Sequence, residues 1–248
     1  MASFVSVEAH AAKIGAGIGR TVEFAGSNDY TFIPRASFEL ETGIGIFKNN
    51  ELGVQLDLIK SGAVDTGPIL RINLGRNDSV SDPLVAALPE IEVTAEAGWF
   101  VGSGVKLDRL GLNTDNIVIG SVKAVTDVGD GHGGTLLSAS LGLVMPINEQ
   151  LRMVPSVTLN YADDNYMQSF YGVSPNKAGP DGFMQFDAKG GLESSQLALV
   201  VIRTIDTRWS VTGVFAQNVL QGDAKASPIT ERGSDKNLFA GFTASYTF

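Results

Sequence analysis

Apolar and polar side chains alternate along most of this chain, most clearly over Lys236–Phe248. Leu238, Ala240, Phe242, Ala244, Tyr246 and Phe248 fall on one face, and Asn237, Gly241, Thr243, Ser245 and Thr247 on the other, with Phe239 the exception. A period of two describes a strand with one apolar and one polar face. A strand crosses a bilayer with ~9–11 tilted residues, so this segment is long enough. Tyr246 and Phe248 would then lie at the depth of an aromatic girdle. An edge strand of a soluble sandwich could read the same way, and it is repetition along the chain that separates the two.

The alternation recurs in order. Ala11–Arg20 sets Ala12, Ile14, Ala16 and Ile18 against Lys13 and three glycines, and Tyr30–Glu41 sets Phe32, Pro34, Ala36, Phe38 and Leu40 against Arg35, Ser37, Glu39 and Glu41. Pro34 cannot donate to a ladder, so a bulge is expected there. Gly43–Phe47 is a short third strand turning at Lys48–Asn50, followed by strands at Glu51–Ile59, Gly67–Gly75 and Ile91–Gly102. Further strands are expected at Asn116–Asp127, Thr135–Met145, Leu151–Ala162, Gly191–Ile205 and Trp209–Leu220.

Loop lengths alternate as well. Asn148–Gln150 and Asp206–Arg208 are tight, whereas Asp163–Gly190 and Gln221–Asp235 are long. Membrane barrels show this asymmetry, with short periplasmic turns and long outer loops, and in a single chain an even strand number. The expectation is an all-β chain, one antiparallel transmembrane β-barrel of the outer-membrane type spanning residues 1–248. Counting the short third strand, it would have about twelve strands, with ten the alternative. Residues 1–10 would form an N-terminal periplasmic segment. No helical elements are expected to cover the sheet.

Composition refines this picture. Apolar residues make up 44% of the chain, yet the longest apolar run is Leu197–Ile202, far short of a membrane helix. There is no cysteine, hence no disulfide framework and no thiolate metal site. The net charge of −9 argues against a nucleic-acid partner. Met1–Glu8 lacks the basic and apolar regions of a signal peptide, as expected of a mature exported form.

Candidate chemistry falls in two places. The inferred lumen carries Lys13, Arg35, Glu39, Asp57, Arg71, Glu92, Glu96 and Arg152. Such charges could line a selective pore. Because both signs are present, an ion-paired interior is the favoured reading, since buried charges need partners. In the loops, His132 lies among glycines without a Gly-x-Ser-x-Gly elbow, which favours a loop-folding role over catalysis. Asp127, Asp130, Asp163 and Asp164 could gather at a rim, but their spacing matches no EF-hand, and no metal or other cofactor is expected. Phe170, Tyr171, Phe183 and Phe186 could offer a partner surface or pack a loop into the mouth as a plug.

One further pattern is specific. Ala162-Asp-Asp-Asn-Tyr-Met-Gln-Ser-Phe-Tyr-Gly-Val-Ser174 resembles the signature of the MipA/OmpV family, the MltA-interacting outer-membrane proteins. Gly26–Tyr30, Gly75-Arg76, Gly131–Gly134 and Gly222–Ile229 resemble other family segments in the same order. The resemblance implies an outer-membrane barrel in contact with outer-membrane lipid and without catalytic residues. It also implies scaffolding that links murein hydrolase and synthase proteins, a lytic transglycosylase and a bifunctional penicillin-binding protein. His132, Tyr166, Met167, Phe170 and Tyr171 become structural or interaction candidates. The alternative kept open is a passive channel or small-ligand-binding barrel.

Overall fold

The computed structural model describes residues 11–50, 52–58, 64–112, 114–175 and 182–248. Its strands are β1 Ala11–Val22, β2 Tyr30–Thr42, β3 Gly45–Asn50, β4 Gly53–Asp57, β5 Val64–Asn73 and β6 Thr94–Lys106. They continue as β7 Ile117–Asp127, β8 Thr135–Asn148, β9 Leu151–Ala162, β10 Gly191–Thr204, β11 Trp209–Leu220 and β12 Lys236–Thr247. Each strand pairs antiparallel with its neighbour in the chain, and β12 returns to β1 through the register Lys13↔Thr247 to Arg20↔Ala240, closing the barrel. Closure gives every strand a partner on both sides, which removes most of the edges that lipid could not solvate.

The alternating faces fall as their periodicity predicts. Leu238 and Phe242 of β12, Phe215 of β11 and Leu197 of β10 are exposed on the outside. Asn237, Thr243 and Ser245 of β12 are buried inside. Polar lumen rungs hydrogen-bond around the wall: Ser138 Oγ to Asn160 Oδ1 at 2.7 Å, Asn160 Nδ2 to Ser194 Oγ at 2.9 Å, and Ser140 to Thr158 at 2.8 Å. At the short-turn end the rings of Trp209, Tyr246 and Phe248 meet edge to face in sequence, with centroids 5.1 and 4.9 Å apart, and Arg208 Nη1 donates to Tyr246 Oη at 3.0 Å. Such a cluster suits the aromatic girdle of a membrane barrel.

Four expectations are corrected. The β1–β2 register runs unbroken through Ile18↔Pro34, so no bulge forms there; Pro34 lacks an N–H only on the side turned away from β1. The third strand runs through Asn50, because Lys48 and Asn49 pair with Gln55 and Val54 instead of turning. The long loops contain helices: α1 Pro83–Ala86, α2 Asp164–Tyr171, α3 Gly222–Ala226 and α4 Pro228–Arg232. Asp82, Asp163 and Ser227 cap three of them with side-chain oxygens, the local signal that period-two reading passes over. Finally, Glu92 is exposed and precedes β6, so it is not a lumen charge. The β5–β6 ladder ends at Asn73↔Thr94. Gly75, in the left-handed region at φ 64°, turns the chain before an isolated bridge forms at Arg76↔Ile91. The expected N-terminal segment, residues 1–10, lies outside the described residues.

Candidate functional site at the lumen and outer mouth

The long loops gather at one end, which by the loop asymmetry of outer-membrane barrels is the outer one. Helix α2 lies at their centre. Asp163 caps it, accepting from Tyr166 N at 2.9 Å, while its other oxygen accepts from Thr135 N at 2.9 Å and ties the helix to β8. Asp164 accepts from Gly190 N at 2.6 Å, and Gln168 Oε1 accepts from Ala188 N at 2.9 Å, folding the return of the loop against the helix. Met167 and Tyr171 are fully buried, in one cluster with Ile69, Phe100, Val125 and Leu136, which project inward from β5 to β8. A second cluster joins Val85 of α1, Phe183 and Ile229 of α4. The loop aromatics are therefore packed down into the mouth.

A buried polar relay lies under this packing. Glu96 of β6 pairs with Arg71 of β5, accepts from Asn73 Nδ2 at 3.1 Å and meets His132 Nε2 at 2.9 Å. Gly134 N donates to His132 Nδ1 at 3.1 Å, so Nδ1 is the acceptor and Nε2 carries the proton given to Glu96. Both ring nitrogens are thus engaged. The imidazole also meets the rings of Tyr166 and Phe170 at 5.2 and 5.4 Å, and those two rings stack at 4.5 Å. Asp127 shapes the loop that carries His132, accepting from Gly129 N at 2.9 Å, His132 N at 2.6 Å and Gly133 N at 2.7 Å. Gly134 has no room for a side chain, since an added Cβ would lie 2.3 Å from Tyr166 N.

Other contacts lock the plug to the rim. Arg76 Nη1 donates to Phe170 O at 3.0 Å, and burial lowers its guanidinium to about 10. Tyr171 donates its hydroxyl to Glu193 of β10, and burial first, then the adjacent carboxylate, pushes that phenol well above its ordinary value. Ser227 Oγ donates to Tyr171 O at 2.6 Å. Gly26 N donates to Asn237 Oδ1 at 3.2 Å, and Gly26 O accepts from Ser234 N at 2.8 Å. The five short motifs are far apart in sequence, and all of them end at this mouth.

The remaining lumen charges lie elsewhere. Asp57 is buried low on β4 and accepts from Thr66 N at 3.3 Å. Lys13 and Glu39 share a rung near the short-turn end, and Arg152 is exposed close to that end on β9. Arg35 places its guanidinium 5.0 Å over the Phe239 ring. Between these charges and the plug lies a cavity of ≈ 1290 Å³, walled by polar residues such as Ser140, Thr158, Gln196 and Asn218. Among the described residues, no group of three or more His, Cys, Asp or Glu side chains gathers as a metal site would require. Sequence reading missed Lys123, which faces the cavity from a strand with indistinct faces, and Glu193. Glu193 sits at a register shift between Leu192 and Ser194, and that shift turns two consecutive side chains inward.

Residues 14–248 match the family described as MltA-interacting protein MipA. The chain belongs to this family. None of the curated proteins matches the chain. Among solved structures it is similar to the outer membrane channel DcaP of Acinetobacter baumannii, at 8% identity and a TM-score of 0.42, covering 100% of this chain and 99% of that one. It is also similar to the COG4313 outer membrane channel of Pseudomonas putida F1, at 10% identity and a TM-score of 0.44, covering 100% of both chains. The NanC porin matches at 10% identity and a TM-score of 0.45, covering 94% of this chain and 98% of that chain.

Proposed function

We propose that this MipA-family barrel resides in the outer membrane and is a non-catalytic tether for murein-remodelling enzymes, docking them at its short-turn, periplasmic end. The observation that supports this reading is the packed outer mouth. Rings, buried hydrogen bonds and helix caps there all bind the plug to the wall, which leaves the opposite end as the face turned to the cell wall. The engaged ring nitrogens of His132 give it a structural task instead of a proton-transfer one. Ile44, Leu110, Leu112, Ile147 and Ile205 are exposed in or next to the short-end turns and offer apolar anchors for a partner. The family's description through an interaction with MltA supports a lytic transglycosylase as the first partner to test.

The barrel in nanodiscs, immobilised through an outer loop, is exposed to a purified lytic transglycosylase of that kind and then to a bifunctional murein synthase. Saturable binding is expected, weakened about tenfold by Leu110→Asp with Ile205→Asp, as for a pair of interface anchors. A folded barrel that retains neither enzyme would sink the reading.

A second reading, a small-ligand-binding barrel, is favoured by the cavity. Planar-bilayer recordings at neutral pH and high salt are expected to stay closed, because the plug seals the mouth. Steady discrete openings would instead identify a channel.

A further inference from the structure

Ten strands of the wall run 10–14 residues, but β3 and β4 have 6 and 5. The β2–β3 ladder spans only Glu39↔Lys48 to Thr42↔Gly45, although β2 continues up to Tyr30 along β1. On the other side the β4–β5 ladder stops at Gly53↔Arg71, with one further bond from Ile72 N to Leu52 O at 3.0 Å. Above the hairpin tip, β2 and β5 therefore face each other across a sector from which two strands are missing.

Open strand edges do not survive against lipid, but they are tolerated where they line a wet cavity. The upper edge of β2 is adapted to this. Phe38 N, on that edge, donates to Asn49 Oδ1 at 3.0 Å. Two and four residues along the same edge, Ala36 keeps its N–H and Pro34 has none to leave unpaired. The lumen cavity reaches the gap, since its wall includes Pro34, Ala36, Leu70 and Ile72 together with the lumen residues Thr158 and Gln196.

The lip of the gap and the lumen wall behind it differ in chemistry. The outer lip is apolar, with Phe32 69% exposed on β2 and Leu70, Ile72 and Leu74 at 51–55% on and just beyond β5. Behind the gap the lumen wall is cationic, where the Arg35 side chain crosses Gly19 and Gly241 toward the Phe239 ring. Arg35, from β2, has its Nε buried without a hydrogen-bond partner among the described residues. A desolvated guanidinium N–H is costly to leave unpaired and is the usual partner of an oxyanion.

We infer that the gap between β2 and β5 is a lateral portal through which an amphiphile with one alkyl chain and an anionic head moves between the outer leaflet and the lumen. The chain lies along Phe32, Leu70 and Ile72, and the head binds Arg35. This deepens the lumen-binding reading and is independent of tethering, because it is read on the barrel alone.

The barrel is reconstituted in vesicles with palmitate carrying a diazirine, irradiated, and its labelled peptides mapped. An otherwise identical diazirine alcohol serves as the uncharged control. Labelling by the carboxylate is expected to concentrate on Phe32–Phe38 and Leu70–Leu74. Arg35→Gln should lower it about tenfold, as expected for loss of a charge-assisted bond, and Arg35→Lys should restore part of it. The alcohol should not respond to either change. Folding of each variant is checked by its heat-dependent gel mobility. Carboxylate labelling spread evenly over lipid-facing strands, Leu197 of β10 included, would overturn the portal. Labelling confined to the gap but unchanged in Arg35→Gln would overturn the anionic head. Either result leaves the soluble-ligand reading to be tested separately by its own binding assay.

Discussion

The wall and the mouth of this barrel are held by different means. In the wall, backbone ladders carry the structure and side chains need only obey inside or outside. Leu197 faces outward and Gln196 inward, and many residues of each class would serve. In the mouth, side chains hold the backbone. Tyr171, Met167, Glu96 and His132 each meet named partners, and few substitutes reproduce those contacts. A ladder tolerates substitution because its bonds are made by groups common to every residue. A plug built of side-chain contacts does not.

The largest test of this contrast is Tyr171→Ala. Truncating a fully buried aromatic costs about 3–5 kcal/mol. Hydrogen exchange is expected to speed through α2 and its loop while the amides of β8–β12 keep their protection. Equal loss in both regions would show that plug and wall fold as one unit. Glu96→Gln comes next. It removes the charge between Arg71 and His132, and breaking a buried pair costs about 3 kcal/mol or somewhat more. Bilayer recordings should then show intermittent openings, and continued silence would mean that the ring packing alone seals the mouth. Gly134→Ala should cost about 1–3 kcal/mol, because the new Cβ meets the Tyr166 backbone. Local exchange around 128–134 and 163–167 reads this. In contrast, Leu197→Ala on the lipid face should change thermal stability by less than about 1 kcal/mol, since the side chain leaves one apolar surface for another.

The smallest effect is a pH dependence confined to the mouth. Burial alone would raise the Asp82 carboxyl, but the Arg232 guanidinium and the N–H groups of Val85 and Leu84 outweigh it and hold it below its usual value. A depressed carboxylate stabilises the fold above its unfolded pKa and loses that contribution as pH falls through the folded one. Exchange in α1 and α4 should therefore quicken below about pH 4, by no more than about 1 kcal/mol for so exposed a pair. Arg232→Ala should remove most of that dependence.

Much of the wall was legible because alternation is a local property. Ile14, Phe38, Trp99 and Phe215 show their faces from their immediate neighbours, and even the inward Phe239 stood out as the exception. Glu92 misled because its parity continues that of Glu96. What ends the strand is Gly75, just past the paired strand β5 and out of reach of any window around Glu92. Helix α2 was hidden by its length. Barely two turns of helix capped by Asp163 have too few apolar positions to display a period, and they are stable only because Met167 and Tyr171 are buried against other strands.

The sequence by itself determined an all-β chain, the lipid and lumen faces, the asymmetry of the loops and the order of the family motifs. Each follows from spacing within a single segment. Only the tertiary structure decided that those motifs converge on one mouth, that Arg71, Glu96 and His132 meet in one buried cluster, and that β3 and β4 stop short to leave a gap beside the strand that carries Arg35. Those facts depend on register and closure, where residues far apart in the chain meet because strands stagger around a barrel, and no local period encodes the stagger.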